Sequence, residues 1–215
     1  MQRKNEREIL DADGLPDELV ERTYRDIARI HRWLGDTEFM IRTIRRDPIP
    51  VRRIMDIGCG MGGVLEDIGH KLGVEAIGVE LKPLRSISTS IKMYQADAIR
   101  EPLPSADVAF SMRLGHHLSE SDLVDLICNV GRFSRRFIIL DLVRHPLPLA
   151  LFRVLVAPFV CQIAAVDGQK SIRRSYTPTE LRRITASALA DSGSSFRHSV
   201  APLYVRQTID IAYAK

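Results

Sequence analysis

The chain has 215 residues, a formal net charge of +4, and 45% hydrophobic against 27% charged residues. This balance is typical of one large globular domain, and it excludes a disordered, collagen-like or many-spanning membrane protein. The basic excess is small, and arginine pairs such as Arg45-Arg46 and Arg135-Arg136 are scattered along the sequence. We therefore do not expect nucleic acid as a partner.

Three cysteines, Cys59, Cys128 and Cys161, stand far apart in the sequence, so neither a disulfide framework nor a zinc site is predicted. The charged first eight residues lack the apolar core of a signal peptide. Both features favour a protein of the reducing cytoplasm. The sequence does not decide the oligomeric state between a monomer and a homodimer.

Residues 1–50 are predicted to form an N-terminal helical cap. Apolar residues recur every three or four positions from Leu19 to Leu34, which predicts an amphipathic helix that Gly35 ends. Asp36 then has the position of a cap for a second helix, which Asp47-Pro48 stops.

From Arg53 onward, short apolar runs alternate with helical stretches, which predicts an α/β domain over residues 51–215. Strands are predicted in chain order at 54–57, 76–80, 92–95, 108–111, 137–142, 196–201 and 206–213. Helices fit between them, most clearly at 62–72, 121–133 and 177–191. A helical cap insertion at about 144–175 interrupts this rhythm.

Within that insertion, the segment 146–166 has the length of a membrane span and contains only Arg153 and Gln162 as strongly polar residues. Its three prolines and the arginine near its middle argue against a span. We predict a buried or cap helix here. Two alternatives stay open: the segment could contact a membrane surface peripherally, or it could line an apolar substrate channel.

A glycine-rich turn follows the first predicted strand. Gly58, Gly60 and Gly63 satisfy the pattern G-x-G-x-x-G, and Glu80 ends the second strand, 22 residues after Gly58. Glycines permit a tight turn and a close approach of the backbone to a ligand, and a carboxylate at the end of the second strand can accept both ribose hydroxyls. The pattern predicts a nucleotide-like cofactor.

Asp56 discriminates between two such cofactors. A carboxylate two residues before the first glycine would repel the pyrophosphate of a dinucleotide, whereas it would attract the ammonium and sulfonium groups of S-adenosylmethionine. Asp97, at the end of the third strand, adds an acid suited to an adenine amino group. Three acids at the ends of successive strands favour the cationic ligand.

Together with the run from Ser111 to Leu118, these residues resemble the class I, Rossmann-like S-adenosylmethionine-dependent methyltransferases. The resemblance spans about residues 52–142. It implies a seven-stranded, mostly parallel sheet with an antiparallel last strand, S-adenosylmethionine as cofactor and S-adenosylhomocysteine as product. The cofactor contacts expected from it lie at Asp56, Gly58, Cys59, Gly60, Gly62, Glu80, Leu81, Asp97, Ala98, Met112, Arg113 and Leu114.

Position by position, the resemblance implies distinct roles for these residues. Gly58, Cys59 and Gly60 would cradle the methionine moiety, Glu80 would bind the ribose and Asp97 the adenine. Met112 to Leu114 would form a wall beside the cofactor, although Arg113 could also contact a substrate carboxylate or make a surface ion pair, of which the ion pair is favoured.

His116 and His117 follow the fourth strand, at the edge of the sheet toward which the methyl group should point. A neutral imidazole is suited to removing a proton from an oxygen acceptor, so both are candidate catalytic residues, with His116 favoured as general base. One of them packing in the core and the other facing solvent is the competing interpretation. Because only Asp141 lies near among carboxylates, we expect no metal.

More remotely, Asp141-Leu142-x-Arg144, Asp167-Gly168, Arg173-Arg174 and Tyr176-Thr177 look like bacterial methyltransferases found with aromatic polyketide or flavin enzymes. This suggests a phenol, quinol or polyketide acceptor. The residues predicted to bind the acceptor are Trp33, Arg144, Phe152, Arg173 and Tyr176.

The sequence thus favours methyl transfer to a small, largely apolar or aromatic acceptor, on oxygen before carbon or nitrogen. Two alternatives stay open. One is a non-catalytic S-adenosylmethionine-binding protein or a methyltransferase-like partner subunit, and the other is a nicotinamide-dependent oxidoreductase that uses the glycine turn and Glu80.

Overall fold

The computed structural model describes residues 1–4, 6–12, 14–82 and 91–214. The helices and strands of the described part are α1 (Asp17–Trp33), α2 (Asp36–Arg45), β1 (Arg53–Ile57), α3 (Gly63–Leu72), β2 (Glu75–Glu80), β3 (Lys92–Gln95), β4 (Ala106–Met112), α4 (Glu120–Gly131), β5 (Ser134–Asp141), α5 (Pro146–Leu155), α6 (Gln162–Arg174), α7 (Pro178–Leu189), β6 (Ser195–Val200) and β7 (Gln207–Ala212). Short 3₁₀ helices lie at Gly115–His117, Ala157–Phe159 and Pro202–Tyr204.

The seven strands form one sheet in the order β3-β2-β1-β4-β5-β7-β6. Strands β1 to β5 run parallel to one another, and β7 is antiparallel to both β5 and β6. The predicted Rossmann-like sheet with an antiparallel last strand is therefore confirmed. Because the strand order reverses beside β1, a crevice opens at the carboxyl ends of β1 and β4, which is where ligands bind in open α/β sheets.

Both faces of the central strands β1, β4 and β5 are buried, whereas the edge strands β3 and β6 are largely exposed. Successive strand residues point to opposite faces, so Met55 packs with α4 and α7, while Ile54 packs with α2 and α3. Ile41 of α2 belongs to the same core as Ile54. The predicted domain boundary at residue 50 therefore runs through a packed core.

The segment 146–166 differs from its prediction as one helix. It contains α5, the 3₁₀ helix that includes Pro158, and the start of α6. Proline lacks an amide hydrogen and disfavours a helical residue before it, which ends α5 at Leu155. Among the described residues, no helix has the length and hydropathy needed to cross a membrane.

Two further details concern the predicted helices. A helix between β2 and β3 would fall on residues 83–90, which lie outside the described residues. Asp36 does not cap α2, because Gly35 takes the N-cap position with a φ of 69°. The Asp36 carboxylate is buried instead, and its oxygens accept hydrogen bonds from His31, Arg113 and Arg206.

Candidate functional site

The candidate site lies at the carboxyl ends of β1, β2, β4 and β5. The turn after β1 contains three glycines with positive φ angles, 73° at Gly58, 56° at Gly60 and 76° at Gly62. A Cβ atom at Gly60 would lie 2.7 Å from the Tyr24 ring, and one at Gly62 would lie 2.2 Å from Ile91 Cδ1. The positive φ angles require glycine at both positions, and the Tyr24 ring leaves no room for a Cβ at Gly60.

Asp56 precedes this turn and is only 4% exposed. Its Oδ1 atom has no hydrogen-bond partner among the described residues. Burial raises the pKa of this carboxyl well above its usual value, and the nearby Glu80 charge adds to the effect. Since a buried carboxylate without a partner is costly, the turn is suited to a ligand that brings positive charge, as the ammonium and sulfonium of S-adenosylmethionine do.

Glu80 ties the end of β2 to the glycine turn. Its carboxylate accepts hydrogen bonds from the amides of Gly60, at 2.9 Å, and Leu81, at 3.0 Å. Each carboxylate oxygen retains a second lone pair for a ribose hydroxyl. Leu81 is 59% exposed beside it.

Asp97 lies just after β3, the neighbour of β2, so the three acids stand in one row along the edge of the sheet. Its carboxylate accepts a hydrogen bond from the amide of Ile99 and is partly exposed. The carbonyl of Ala98 accepts from the Asn129 side chain, which fixes this loop. Arg100 Nη1 lies 3.6 Å from the other carboxylate oxygen of Asp97, so the contact with an adenine amino group stays a prediction.

The residues after β4 divide between the site and the core. The Leu114 side chain lies 3.0 Å from the position of a Cβ on Gly58, so it packs against the glycine turn, and its role as a wall beside the cofactor stays a prediction. Met112 packs with the core of α2 and α3. Arg113 differs from its predicted cofactor contact, because its guanidinium donates to the buried Asp36 carboxylate at 2.5 Å.

The two histidines occupy the 3₁₀ helix that follows β4. His116 Nδ1 lies 2.7 Å from an oxygen of Asp141, which ends β5, and His116 Nε2 lies 3.6 Å from Glu8 Oε1. His117 Nε2 lies 3.7 Å from the same Glu8 oxygen. The His117 side chain is 27% exposed against 3% for His116, so His117 is the more accessible of the pair.

These contacts give the two imidazoles different charges. Burial alone would lower the pKa of His116, but Asp141 and Glu8 outweigh it and raise that pKa to about 9. Burial and the His116 charge lower the pKa of His117. The contacts therefore favour the cationic form of His116 and the neutral form of His117.

Glu8 belongs to the charged segment at the start of the chain. We term residues 1–4 and 6–12 the N-terminal strap. Asp167 accepts hydrogen bonds from the amides of Ile9 and Leu10, at 2.8 and 2.9 Å, and Arg3 donates to the carbonyl of Leu118 at 2.8 Å. The only local signal was the apolar pair Ile9-Leu10 after Glu8.

One further property of this cluster concerns metals. Ligand atoms of Glu8, His116 and His117 all lie within 4.8 Å of one another. A divalent cation can bridge such a spacing. The expectation that no metal binds therefore stays a prediction.

The residues predicted to bind the acceptor do not converge on one pocket. Trp33 is 54% exposed at the end of α1. Phe152 packs against α6, since a Cβ on Gly168 would lie 2.3 Å from its ring.

The polar members of that set already have protein partners. Arg144 donates to the Ser175 and Met1 carbonyls and to Glu180. The Tyr176 hydroxyl donates to the carbonyl of Leu118 at 2.8 Å. Arg144 and Tyr176 thus make contacts within the protein in place of the predicted contacts with the acceptor. The backbone carbonyl of Arg173 accepts a hydrogen bond from the amide of Lys4 in the strap.

No family model matches the chain. It is 28% identical over 83 residues to the chloroplastic tocopherol O-methyltransferase of Arabidopsis thaliana, which covers 33% of this chain and 24% of that protein. It is 26% identical over 102 residues to the probable chloroplastic tocopherol O-methyltransferase of Oryza sativa subsp. japonica, which covers 41% of this chain and 28% of that protein. The matches thus span about a quarter of the length of these curated relatives.

Solved structures resemble nearly the whole chain. The plantazolicin methyltransferase BpumL, in complex with a monoazolic desmethylPZN analog and SAH, has a TM-score of 0.71 at 13% identity and covers 93% of this chain and 91% of its own. Human N-acetylserotonin methyltransferase in complex with SAM has a TM-score of 0.64 at 16% identity, covering 100% of this chain and 63% of its own. This chain has the fold of the class I, Rossmann-like S-adenosylmethionine-dependent methyltransferases.

Proposed function

We propose that the protein is an S-adenosylmethionine-dependent methyltransferase that methylates a hydroxyl oxygen of a small, largely apolar or aromatic acceptor. The observation that carries the proposal is the buried Asp56 carboxyl with an unpartnered oxygen beside a turn of three left-handed glycines. The similarity to tocopherol O-methyltransferases supports a phenol or quinol as the acceptor.

S-adenosylmethionine supplies an electrophilic methyl group on a positively charged sulfur. The glycine turn, Asp56, Glu80 and Asp97 are the residues that would hold it, with Leu114 as a wall. Binding both reactants in one crevice contributes most of the rate, since alignment can lower a barrier by about 7 to 11 kcal/mol.

The acceptor hydroxyl must also lose a proton, and His117 is the residue that takes it. Its imidazole is neutral at neutral pH and more exposed than that of His116. His116 is a positioning residue. Asp141 fixes the orientation of the His116 ring, and His116 and Glu8 together position His117. This exchanges the roles first expected for the two histidines.

The first test is thermal unfolding of the full chain with S-adenosylmethionine, S-adenosylhomocysteine or NAD. A ligand at one hundred times its Kd adds about 2.7 kcal/mol, or roughly 5 to 10 °C in Tm for a chain of this size. We expect a shift with the two sulfur ligands alone. A shift with NAD alone would move the protein to the oxidoreductases.

The second test measures transfer of labelled methyl groups to tocopherol-type phenols and to quinols. We expect His117→Gln to lower kcat by about 10² to 10⁴ without changing the Kd of S-adenosylmethionine, because general base catalysis contributes about that factor. Cofactor binding without transfer to any acceptor would favour the non-catalytic alternative. A preparation treated with EDTA tests the expectation that no metal is needed.

A further inference from the structure

Four large apolar side chains are exposed at one end of the helical insertion and of α1. Val154 is 68% exposed, Leu155 60%, Phe159 63% and Trp33 54%. We term these four the apolar tip. Single exposed apolar residues are ordinary, but a contiguous group of them marks an interaction surface.

Arg29 joins the two parts of the apolar tip. Its guanidinium donates to the backbone carbonyl of Phe159 at 2.7 Å and lies 5.1 Å from the centroid of the Trp33 ring. Val154 and Leu155 end α5, which the 3₁₀ helix with Phe159 follows directly. Trp33 and Phe159 therefore lie beside the same guanidinium, and Val154 and Leu155 precede Phe159 by no more than five residues along the chain.

A basic surface adjoins the apolar tip. Arg22, Arg25, Arg29 and Arg32 follow one another on α1 at spacings of three, four and three residues, which places them on one face of the helix. Arg22, Arg25 and Arg32 are exposed, and the Arg29 side chain is 41% exposed. We term these residues the arginine stripe.

Acidic residues also surround the arginine stripe. Glu18 and Glu21 precede Arg22 and Arg25 by four residues on α1, and Asp26 is buried and paired with Arg29. Near Arg32, one pocket is lined by Glu38, Asp67 and Lys71. Toward the apolar tip, Arg153 of α5 adds a further exposed cation. With Arg29, Arg32, Lys71 and Arg153 against Asp26, Glu38 and Asp67, the surface nearest the apolar tip carries more positive than negative charge.

We propose that this surface binds a membrane containing anionic lipids, with the apolar tip inserted among the headgroups and the arginine stripe on the lipid phosphates. Apolar side chains flanked by arginines, with tryptophan at their edge, are the features of an interfacial membrane contact. A second copy of the chain fits less well, because a two-fold interface would bring one arginine stripe against another.

The membrane contact also bears on the acceptor, and this step rests on the proposed function. The α5–α6 insertion carries the apolar tip, and α6 carries Asp167, which holds the N-terminal strap over the histidines. A bilayer that binds the apolar tip therefore contacts the α5–α6 insertion, which also holds the N-terminal strap through Asp167. This arrangement favours acceptors dissolved in the lipid phase.

The test is co-sedimentation of the full chain, without cofactor, with vesicles of phosphatidylcholine alone or with one third phosphatidylglycerol. We expect binding to the anionic vesicles at least tenfold tighter than to the neutral ones, and weaker binding at high salt. The triple variant Val154→Ser, Leu155→Ser, Phe159→Ser and the double variant Arg22→Gln, Arg25→Gln should each lose at least tenfold in affinity.

Matched control variants replace exposed residues elsewhere. Ile49→Ser with Leu203→Ser removes apolar side chains of 54% and 57% exposure, and Arg46→Gln with Arg197→Gln removes two exposed cations. Both controls should bind vesicles as the unchanged protein does. Circular dichroism confirms that every variant is folded.

Three outcomes would overturn the membrane proposal: no binding to either kind of vesicle, binding that survives both tip and stripe variants, or a dimer that the tip variants dissociate. The last would make this face a protein interface. Because vesicle binding is measured without cofactor, its failure leaves methyl transfer untouched. Failure of methyl transfer would likewise leave vesicle binding standing.

Discussion

Asp56 is the residue at which cofactor binding and stability oppose each other. Replacing it by Asn should weaken S-adenosylmethionine binding at least tenfold, because the attraction between the carboxylate and the cationic ligand is lost. Without cofactor, Asp56→Asn should unfold at the same or a higher temperature, because a buried carboxylate without a full set of partners is costly. Calorimetric titration and thermal unfolding measure the two effects. Unchanged affinity would remove Asp56 from the site.

The same residue gives cofactor binding a pH dependence. Burial raises the pKa of Asp56 above its usual value, so part of the population is protonated at pH values where an exposed aspartate is ionised. A cationic ligand prefers the ionised form, so affinity should rise with pH through the raised pKa. In Asp56→Asn this rise should be absent.

His116 gives the stability of the fold a pH dependence of the opposite sign. Its pKa rises from 6.5 to about 9 on folding, so the stability that it contributes is fully present below about pH 6.5 and is lost as pH rises through 9. Asp141→Asn removes the main partner that raises this pKa. We expect thermal unfolding from pH 6 to 10 to show a steep decline in the unchanged protein and a shallower one in Asp141→Asn.

For single residues, the sequence was sufficient to predict a place in the site where the position relative to a strand end or to the glycine turn indicates the role. Asp56, Glu80 and the histidine pair follow strands in a fixed order, and the structure brings them to one edge of the sheet. Glu8 could not be found, because its contacts with His116 and Ser171 join residues more than 100 positions apart. Nor could the roles of the two histidines be separated without the carboxylates that face them.

Among the elements, the α5–α6 pair depends on a close approach at Gly168. A Cβ there would lie 2.3 Å from the ring of Phe152. Gly168→Ala should therefore overpack this contact and cost about 1 to 3 kcal/mol, or roughly 2 to 10 °C in Tm. The matched control is Gly63→Ala, whose Cβ meets nothing within 4 Å and whose Tm should stay the same or rise slightly. Equal Tm values for both variants would contradict this packing.

Elements with a strong local pattern were predictable, and those set by tertiary contacts were not. The predicted bounds of β3, 92–95, are those observed. The apolar segment 146–166 has no periodicity that could show where α5 ends. Only Pro158, in the middle of the segment, indicated that it forms two helices. The role of Asp36 was also misread, since a helix start looks the same whether its carboxylate caps the helix or faces arginines from distant strands.

Across the whole molecule, Asp36 joins parts of the chain that lie far apart in sequence. His31 comes from α1, Arg113 follows β4 and Arg206 precedes β7, and all three donate to this buried carboxylate. Removing one partner of a buried ionic cluster leaves uncompensated charges, so Asp36→Asn should cost about 3 to 5 kcal/mol in denaturant unfolding.

The control for this prediction is Glu38→Gln, which breaks the ion pair with Lys71 between side chains about half exposed. Its denaturation midpoint should not change, because solvent screens exposed pairs. Arg113 and His31 lower the pKa of Asp36 against the effect of burial, so its stabilising contribution is lost as the pH falls. A midpoint for Asp36→Asn equal to that of the control would show that the cluster does not hold these elements together.

Trp33 is the single tryptophan of the chain, and it stands half exposed at the end of α1 beside Arg29. Indole fluorescence therefore reports from this one position, free of any signal from the sheet. Contact with a bilayer would move the emission maximum to shorter wavelengths, whereas cofactor binding at the glycine turn would leave the emission maximum unchanged. The protein thus carries an optical probe that distinguishes events at its surface from events in its crevice, without any attached label.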